Sequence, residues 1–153
     1  MEIERKFLTG TIPDLTEYKY HEISQAYLCT SPVVRIRKED DNYYMTYKSK
    51  GMMAREEYNL PLTKESYEHL LTKADGNIIA KKRYLIPYNN YTIELDVFES
   101  VFDGLIIAEV EFPSVEEAES FKAPEWFKED VTYDGKYHNS YLSSLKMVVS
   151  SDL

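Results

Sequence analysis

Charged side chains recur at every second residue in several segments of this chain, beginning with Glu2, Glu4 and Lys6. Because successive side chains of a β-strand point to opposite faces, each such set lies on one face of a strand. The alternate positions, such as Ile3, are mostly apolar. The pattern therefore predicts strands with one charged face and one apolar face. The same spacing occurs at Arg35 and Arg37, Lys48 and Lys50, Arg55 and Glu57, Lys81 and Arg83, Glu94 and Asp96, and Glu109 and Glu111.

Strands and helices are both predicted, in a mainly antiparallel α+β arrangement. Runs rich in β-forming residues are separated by turn signals such as Asp40-Asp41-Asn42. Thr63 can cap a helix that reaches about residue 73, and a capping-box pattern from Ser114 to Glu117 begins a second helix that ends before Pro124. Gly76 is expected just beyond the first helix, and a third short helix is expected over about 137–146. The predicted strands cover about 1–8, 22–29, 32–39, 42–50, 54–61, 78–87, 91–99 and 105–113.

The charged faces are expected to line the inside of a barrel. A sheet with one solvated face would also alternate polar and apolar residues. Here the polar positions are nearly all fully charged, and the strands differ in the sign that they carry. The predicted helices have apolar stripes that can cover the other face of the sheet. We therefore predict a single domain over 1–153, folded as a closed eight-stranded antiparallel barrel with a charged interior and a few covering helices.

Such an interior can hold a polyanion together with divalent cations. Buried charges of one sign are very costly unless they are paired or bound to metal, and the predicted lining is close to balanced in sign. Lysine and arginine bind phosphate oxygens, and arginine can do so with two parallel hydrogen bonds. Carboxylates are hard oxygen ligands that suit Mg²⁺ or Mn²⁺.

The composition limits the partners and the location. The formal net charge of −9 argues against a nucleic-acid or anionic-membrane binder, which would carry a basic surface. No apolar run approaches the length of about 20 residues that spans a bilayer. The charged N-terminus does not resemble a secretory signal, and Cys29 is the only cysteine. We expect a cytoplasmic protein with a small-molecule partner and leave its oligomeric state open.

The segment Glu2-Ile3-Glu4-Arg5-Lys6 resembles the ExExK signature of the CYTH superfamily, whose members are also called triphosphate tunnel metalloenzymes. Later segments resemble the motifs of this family in order along nearly the whole chain. Two positions depart from the pattern, because Asn59 stands where a further Glu is common and Lys136 where Arg is often found. The matching segments are Arg35-Ile36-Arg37, Thr46 to Lys50, Arg55 to Tyr58, Lys81 to Tyr84, Glu94-Leu95-Asp96, Glu109-Val110-Glu111, and Val131-Thr132 with Asp134, Lys136, Tyr137 and Asn139.

The resemblance implies an antiparallel barrel, usually of eight strands, whose tunnel binds a triphosphate. Members of the family include inorganic, thiamine and RNA triphosphatases and one class of adenylyl cyclase, and the activity usually needs Mg²⁺ or Mn²⁺. We therefore expect a divalent-metal-dependent triphosphatase that hydrolyses the terminal phosphate of inorganic tripolyphosphate, of nucleoside triphosphates, or of both. The alternatives are a class IV-type adenylyl cyclase and a triphosphate-binding protein without turnover.

The resemblance also implies roles for individual residues. Glu2, Glu4 and Glu111 are the expected ligands of the main metal ion. Arg55 is expected to pair with a lining carboxylate, and Tyr27 either faces the tunnel or packs in the core. The expected catalytic residues are Glu57, Asp96 and Glu109, which hold a second metal or orient water, with Lys81 and, less firmly, Glu94; the expected substrate-binding residues are Lys6, Arg35, Arg37, Lys48, Lys50, Lys81, Arg83 and Lys136.

Overall fold

The structure, a computed structural model, describes residues 1–145 and is mainly antiparallel β-sheet with three short α-helices. This agrees with the predicted fold class. The helices are α1 (Lys64–Leu71), α2 (Val115–Ser120) and α3 (Asn139–Ser144), and short 3-10 turns cover Ser100–Phe102 and Gly135–Tyr137. The strands are β1 (Glu2–Thr9), β2 (Tyr20–Thr30), β3 (Val33–Glu39), β4 (Asn42–Lys48), β5 (Ala54–Arg55), β6 (Glu57–Pro61), β7 (Asp75–Tyr88), β8 (Tyr91–Glu99), β9 (Ile106–Glu111) and β10 (Phe127–Asp130).

The strands form one sheet in the order β10-β1-β9-β8-β7-β2-β3-β4-β6, and β5 pairs separately with β1. The predicted hydrogen-bonded closure of an eight-stranded barrel is not confirmed, because the continuous ladder in the described residues ends at β10 and at β6. The strand predicted over 54–61 is instead divided at Glu56. Its first part pairs with β1 through Arg55 and Glu2, and its second part pairs with β4 through Glu57 and Lys48. This short segment therefore touches both β1 and β4 without joining them in one ladder.

Strand β10 was not predicted. Its sequence, Phe127-Lys128-Glu129-Asp130, has one apolar residue followed by three charged ones, so it lacks the alternation of the other strands. It pairs with the outer edge of β1, where Arg5 Nη2 lies 2.8 Å from Asp130 Oδ2. The backbone N–H of Lys6 also donates to Thr132 Oγ1 at 3.0 Å. These contacts fasten the chain after β10 to the strand that carries Glu2, Glu4 and Lys6.

The predicted helix caps are present, but their details differ. Thr63 caps α1 and forms a reciprocal capping box with Ser66, and the helix ends at Leu71 rather than at residue 73. Gly76 lies inside β7 instead of just beyond the helix. The helix predicted over 137–146 is the shorter α3, and residue 146 lies outside the described residues.

Only half of the predicted second capping box forms. Ser114 Oγ accepts a hydrogen bond from the backbone N–H of Glu117 at 3.1 Å. The Glu117 carboxylate turns away from the helix end and accepts from the Tyr91 hydroxyl at 2.8 Å. The helix thus keeps its first-turn cap, while Glu117 links α2 to β8.

The helices pack on different faces of the sheet. Ala118 of α2 and Tyr67 of α1 pack against apolar residues that alternate with the charged ones, so these two helices cover the outer face, as expected. Helix α3 packs on the opposite face, where Leu142 belongs to the same buried apolar cluster as Ile79, Phe98 and Ile107. These three residues lie two positions from Lys81, Asp96 and Glu109, respectively, and therefore share their face. None of the helices in residues 1–145 is long and apolar enough to cross a membrane.

Candidate functional site

The charged face of the sheet lines a cavity of about 360 Å³, to which every strand from β1 to β9 contributes. These charged residues line the cavity because they alternate with apolar ones along each strand, and the curved sheet turns that face of each strand inward. Most residues that the sequence proposed for the site lie in this lining. They are Glu2, Glu4, Lys6, Tyr27, Arg35, Arg37, Lys48, Arg55, Glu57, Lys81, Arg83, Glu94, Glu109 and Glu111.

Three of the proposed residues do not line this cavity. Lys50 is exposed beyond the end of β4 and lines an adjoining cavity of about 380 Å³, because the strand alternation stops at Lys48. The side chain of Lys136 is 70% exposed, and its Nζ lies 3.8 Å from Asp134 on the same turn. Asp96 is fully buried beneath the lining, where it contacts two of its cations.

The centre of the site is an ion-pair network around Asp96. Arg83 holds Asp96 with two hydrogen bonds, Nε to Oδ1 at 2.7 Å and Nη2 to Oδ2 at 2.9 Å, because the two residues are opposite each other on β7 and β8. Lys81 Nζ lies 2.7 Å from Asp96 Oδ2. Burial disfavours the charged carboxylate, but Arg83 and Lys81 outweigh it, so the pKa of Asp96 is lowered. Asp96 therefore remains ionised and positions two cations.

Glu109 and Glu4 share the ammonium group of Lys6. Lys6 Nζ donates a short hydrogen bond to Glu109 Oε1 and lies 3.4 Å from Glu4 Oε1. Arg83 Nη2 also contacts Glu109 Oε2 at 3.1 Å. Despite burial, the charges of Lys6 and Arg83 hold the pKa of Glu109 well below its usual range. Glu109 is therefore an ionised hydrogen-bond acceptor that is already engaged by two cations.

A second group of ion pairs spans the gap between β1 and β4. Lys48 Nζ lies 2.9 Å from Glu2 Oε1 and 3.2 Å from Glu57 Oε2, and Arg55 Nε lies 3.6 Å from Glu2 Oε1. Backbone hydrogen bonds do not connect β1 to β4, so these side chains make the connection across the cavity wall.

Arg35 and Arg37 have few carboxylate partners, because Arg37 Nη1 lies 3.5 Å from Glu39 Oε1 and Arg35 has none within 4.0 Å in residues 1–145. Arg37 Nε donates to Gln25 Oε1 at 2.9 Å, and Arg35 Nη2 donates to Thr46 Oγ1 at 3.2 Å. Arg35 Nε is buried without a hydrogen-bond partner in residues 1–145. Burial, followed by the positive charges of Arg35 and Arg83, lowers the pKa of Arg37 to about 10. Two neighbouring guanidinium groups that lack full compensation suit an anionic ligand.

The carboxylates of Glu2, Glu4 and Glu111 gather on the other side of the cavity. Glu4 and Glu111 are opposite each other on β1 and β9. Burial, and then the negative charge of Glu4, raises the pKa of Glu2 to about 8 and also raises the pKa of Glu111. A divalent cation would relieve this repulsion, and the hard oxygen donors suit Mg²⁺ or Mn²⁺. In the described part of the chain, no group of three or more acidic, His or Cys side chains is already assembled for metal binding.

Sequence reasoning assigned no role in the site to Gln25 or Asn139, although Asn139 is among the residues that match the family's C-terminal segment. Asn139 Oδ1, at the start of α3, accepts from Lys81 Nζ at 3.0 Å and from Gln25 Nε2 at 3.2 Å. Gln25 could have been found, because it lies two residues before Tyr27 on the same face of β2, and its Nε2 donates to the Tyr27 hydroxyl at 3.0 Å. His138 is also buried and lines the cavity.

Comparisons with known proteins agree with this arrangement. The CYTH domain family matches residues 1–144. The chain is 39% identical over 147 residues to an inorganic triphosphatase of Nitrosomonas europaea, covering 93% of this chain and 96% of that protein. It is 34% identical over 146 residues to an inorganic triphosphatase of Acetivibrio thermocellus, covering 92% of each. A crystal structure of an inorganic triphosphatase matches with a TM-score of 0.70 and 36% identity over 94% of both chains. The chain therefore belongs to the CYTH domain family.

Proposed function

We propose that this protein is a divalent-metal-dependent triphosphatase that hydrolyses the terminal phosphate of inorganic tripolyphosphate, of nucleoside triphosphates, or of both. The similar proteins from Nitrosomonas europaea and Acetivibrio thermocellus are inorganic triphosphatases, which supports the inorganic substrate. One observation carries the proposal. The same cavity contains guanidinium groups at Arg35 and Arg37 whose positive charge is not fully compensated, and crowded carboxylates at Glu2, Glu4 and Glu111. A cavity that only bound a polyanion would not need this many carboxylates.

The basic side chains of the cavity bind the phosphate chain. Arg35 and Arg37 can each offer paired N–H donors to phosphate oxygens. Lys6, Lys48, Lys81 and Arg83 are held by carboxylates, so their positions are fixed before a ligand enters. Because these positive side chains are already in place, they need not reorganise when negative charge moves to the leaving group during the reaction.

The metal would be held by Glu2, Glu4 and Glu111. When bound, Mg²⁺ or Mn²⁺ supplies neutralisation of phosphate charge and acidification of water. Lys48, which now contacts Glu2, and Lys6, which contacts Glu4, would then be freer to bind phosphate oxygens.

Water attacks the terminal phosphorus in line with the bond that breaks. The water oxygen bonds to phosphorus and gives up one proton to solvent, and the electron pair of the broken P–O bond leaves with the diphosphate. Glu57 suits the orientation of this water, because its side chain is 24% exposed in the cavity wall and contacts one cation, Lys48. Asp96 is fully buried, and Glu109 is held by two cations. Burial lowers the pKa of Lys81 to about 7, although Asp96 opposes this, so Lys81 Nζ can donate a proton to the leaving oxygen near neutral pH.

The test is to identify every product formed from tripolyphosphate and from ATP with Mg²⁺ or Mn²⁺. We expect orthophosphate release by the wild type and its loss in Glu4→Gln and in Glu111→Gln. Glu119→Gln, which alters an exposed carboxylate on α2, is the matched control and should retain full activity. Cyclic AMP and pyrophosphate from ATP would establish the cyclase instead, and binding without turnover would leave only a triphosphate-binding protein.

The remaining sequence-based proposals concern the cell and the whole chain. A cytoplasmic location, the exclusion of nucleic-acid and membrane partners, and a single domain over 1–153 stay predictions. Lys50 and Lys136 lie outside the main cavity, so any contact that they make with substrate would require their exposed side chains to move.

A further inference from the structure

Asn59 is a neutral side chain in a lining that is otherwise mostly charged. It lies on β6 opposite Thr46 of β4, and Thr46 lies opposite Arg35 of β3. The three side chains therefore form one row across three neighbouring strands. Thr46 is fully buried in the middle of this row, whereas Asn59 is exposed at the edge of the sheet.

Along this row, each residue donates a hydrogen bond to the next one in the direction from Arg35 to Asn59. Arg35 Nη2 donates to Thr46 Oγ1 at 3.2 Å, and the Thr46 hydroxyl donates to Asn59 Oδ1 at 2.6 Å. Asn59 Nδ2 then donates to Glu57 Oε1 at 2.8 Å. An amide offers an acceptor on one side and a donor on the other, as both neighbours require. An ionised aspartate would keep the acceptor but would place a second negative charge beside Glu57.

Arg35 differs from the other basic side chains of the cavity. Lys6, Arg37, Lys48, Arg55, Lys81 and Arg83 each lie within 4.0 Å of a carboxylate oxygen. Within residues 1–145, Arg35 has no such carboxylate, although only 7% of its surface is exposed. Its Nε also lacks a hydrogen-bond partner there. A buried guanidinium without an anion is costly, so this position favours an anionic ligand.

We infer that Asn59 is a positioning residue that determines specificity: as a neutral amide it orients Thr46 and leaves Arg35 without a carboxylate partner, so that Arg35 binds the doubly charged terminal group of a linear phosphate chain. The terminal group of such a chain carries up to two negative charges, whereas an internal group carries one. The inference rests on the proposed function, because it names the substrate feature that the same cavity recognises.

The test compares two ligands that each contain three phosphorus atoms. Tripolyphosphate is linear and has terminal groups, whereas trimetaphosphate is cyclic and has none. Dissociation constants are measured by calorimetry with EDTA present, so that binding is followed without turnover. We expect Asn59→Asp to weaken tripolyphosphate binding by about tenfold, because the added charge compensates Arg35. Binding of trimetaphosphate should change by less than about threefold, because it lacks the doubly charged group.

Asn59→Ala separates charge from structure. This variant loses the hydrogen bonds to both Thr46 and Glu57, whereas Asn59→Asp keeps the acceptor for Thr46, but it adds no charge. Its tripolyphosphate binding should therefore weaken by no more than about threefold. Equal weakening by Asn59→Ala and Asn59→Asp, or equal effects on both ligands, would overturn the inference. So would a wild-type protein that does not bind tripolyphosphate. The wild type could bind tripolyphosphate tightly, and the variants could show the expected order of affinities, without any orthophosphate release when metal is added. That result would reject the proposed hydrolysis and retain the inference.

Discussion

Asp96 is buried completely and is held by two basic side chains, so its charge is part of the fold as well as of the site. Replacing it with asparagine would leave Lys81 without its ion-pair partner and would turn amide hydrogens toward donors of Arg83. Removing one member of a buried ion pair typically costs about 3–5 kcal/mol. We therefore expect Asp96→Asn to lower the free energy of unfolding by about 3 kcal/mol, measured by urea denaturation.

Glu94→Gln is the matched control for this change. Glu94 contacts the same Arg83 at 3.1 Å, but 26% of its side chain is exposed and Arg83 keeps Asp96 and Glu109. Its loss should cost less than about 1 kcal/mol, because solvent screens a partly exposed pair. Similar losses of unfolding free energy in Asp96→Asn and Glu94→Gln would show that the burial of Asp96 does not determine its contribution to stability.

Gly76 allows α3 to lie directly against β7. Its φ is +76°, and a Cβ atom there would lie 2.0 Å from the carbonyl oxygen of Ser143. Gly104 has a φ of +96°, and nothing lies within 4 Å of the place that a Cβ atom would occupy. Gly104→Ala should therefore lower the free energy of unfolding only by the backbone strain, about 1–2 kcal/mol. Gly76→Ala must also displace α3, and we expect a total loss of about 3 kcal/mol or more in urea denaturation.

The same pair of variants connects α3 to activity. Asn139 at the start of α3 contacts Lys81, and Asn77 of β7 donates to the carbonyl oxygens of Leu142 and Leu145 near its end. Displacing the helix removes a hydrogen-bond acceptor from Lys81. Turnover of tripolyphosphate should therefore fall in Gly76→Ala and persist in Gly104→Ala, under conditions where both are folded. Equal turnover would mean that α3 contributes only to stability.

Asp130 fastens β10 to β1 in a pH-dependent manner. Burial is outweighed by the Thr132 hydroxyl, by Arg5 and by the backbone N–H of Thr132, so the pKa of Asp130 is lowered in the folded state. A lowered pKa stabilises the fold above the unfolded-state value of about 4, and this contribution is lost as the pH falls through the folded-state pKa. Because 39% of the side chain is exposed, screening limits the contribution to at most about 1 kcal/mol.

Asp130→Asn tests this contribution. Thermal or urea unfolding should show the variant to be less stable than the wild type at pH 7, and the difference should shrink as the pH falls below about 4. A difference that stays constant from pH 7 down to about 2 would show that the carboxylate charge does not act in this attachment.

The sequence predicts the faces of the strands well but not their partners. Alternation is a local property, so it places Glu4, Arg37 and Lys81 on inward faces. Pairing is not local: the change of partner at Glu56, which leaves the ladder open, is set by contacts of β5 and β6 with distant strands. For the same reason, alternation extended the site to Lys50, where the strand has already ended. The bonds of Asn139 to Lys81 depend on the docking of α3, which no spacing in the sequence reveals.

The molecule as a whole is organised around one cavity, in which two arginines of β3 and two glutamates of the neighbouring strands β1 and β9 lie on different parts of the wall. The arginines are Arg35 and Arg37, and the glutamates are Glu4 and Glu111. Helices α1 and α2 cover the outside of the sheet, and α3 closes one end of its inner face. The arrangement supports the proposal that a highly anionic ligand binds together with a divalent cation.

The most direct measurement is a crystal structure of the protein with Mn²⁺ and imidotriphosphate, in which NH groups replace the bridging oxygens and prevent hydrolysis. Anomalous scattering locates the metal independently of the phosphate chain. We expect a phosphate chain inside the cavity in contact with Arg35 and Arg37, and a manganese peak at Glu2, Glu4 and Glu111. A phosphate chain bound outside the cavity, or manganese found only at other carboxylates, would contradict this expectation.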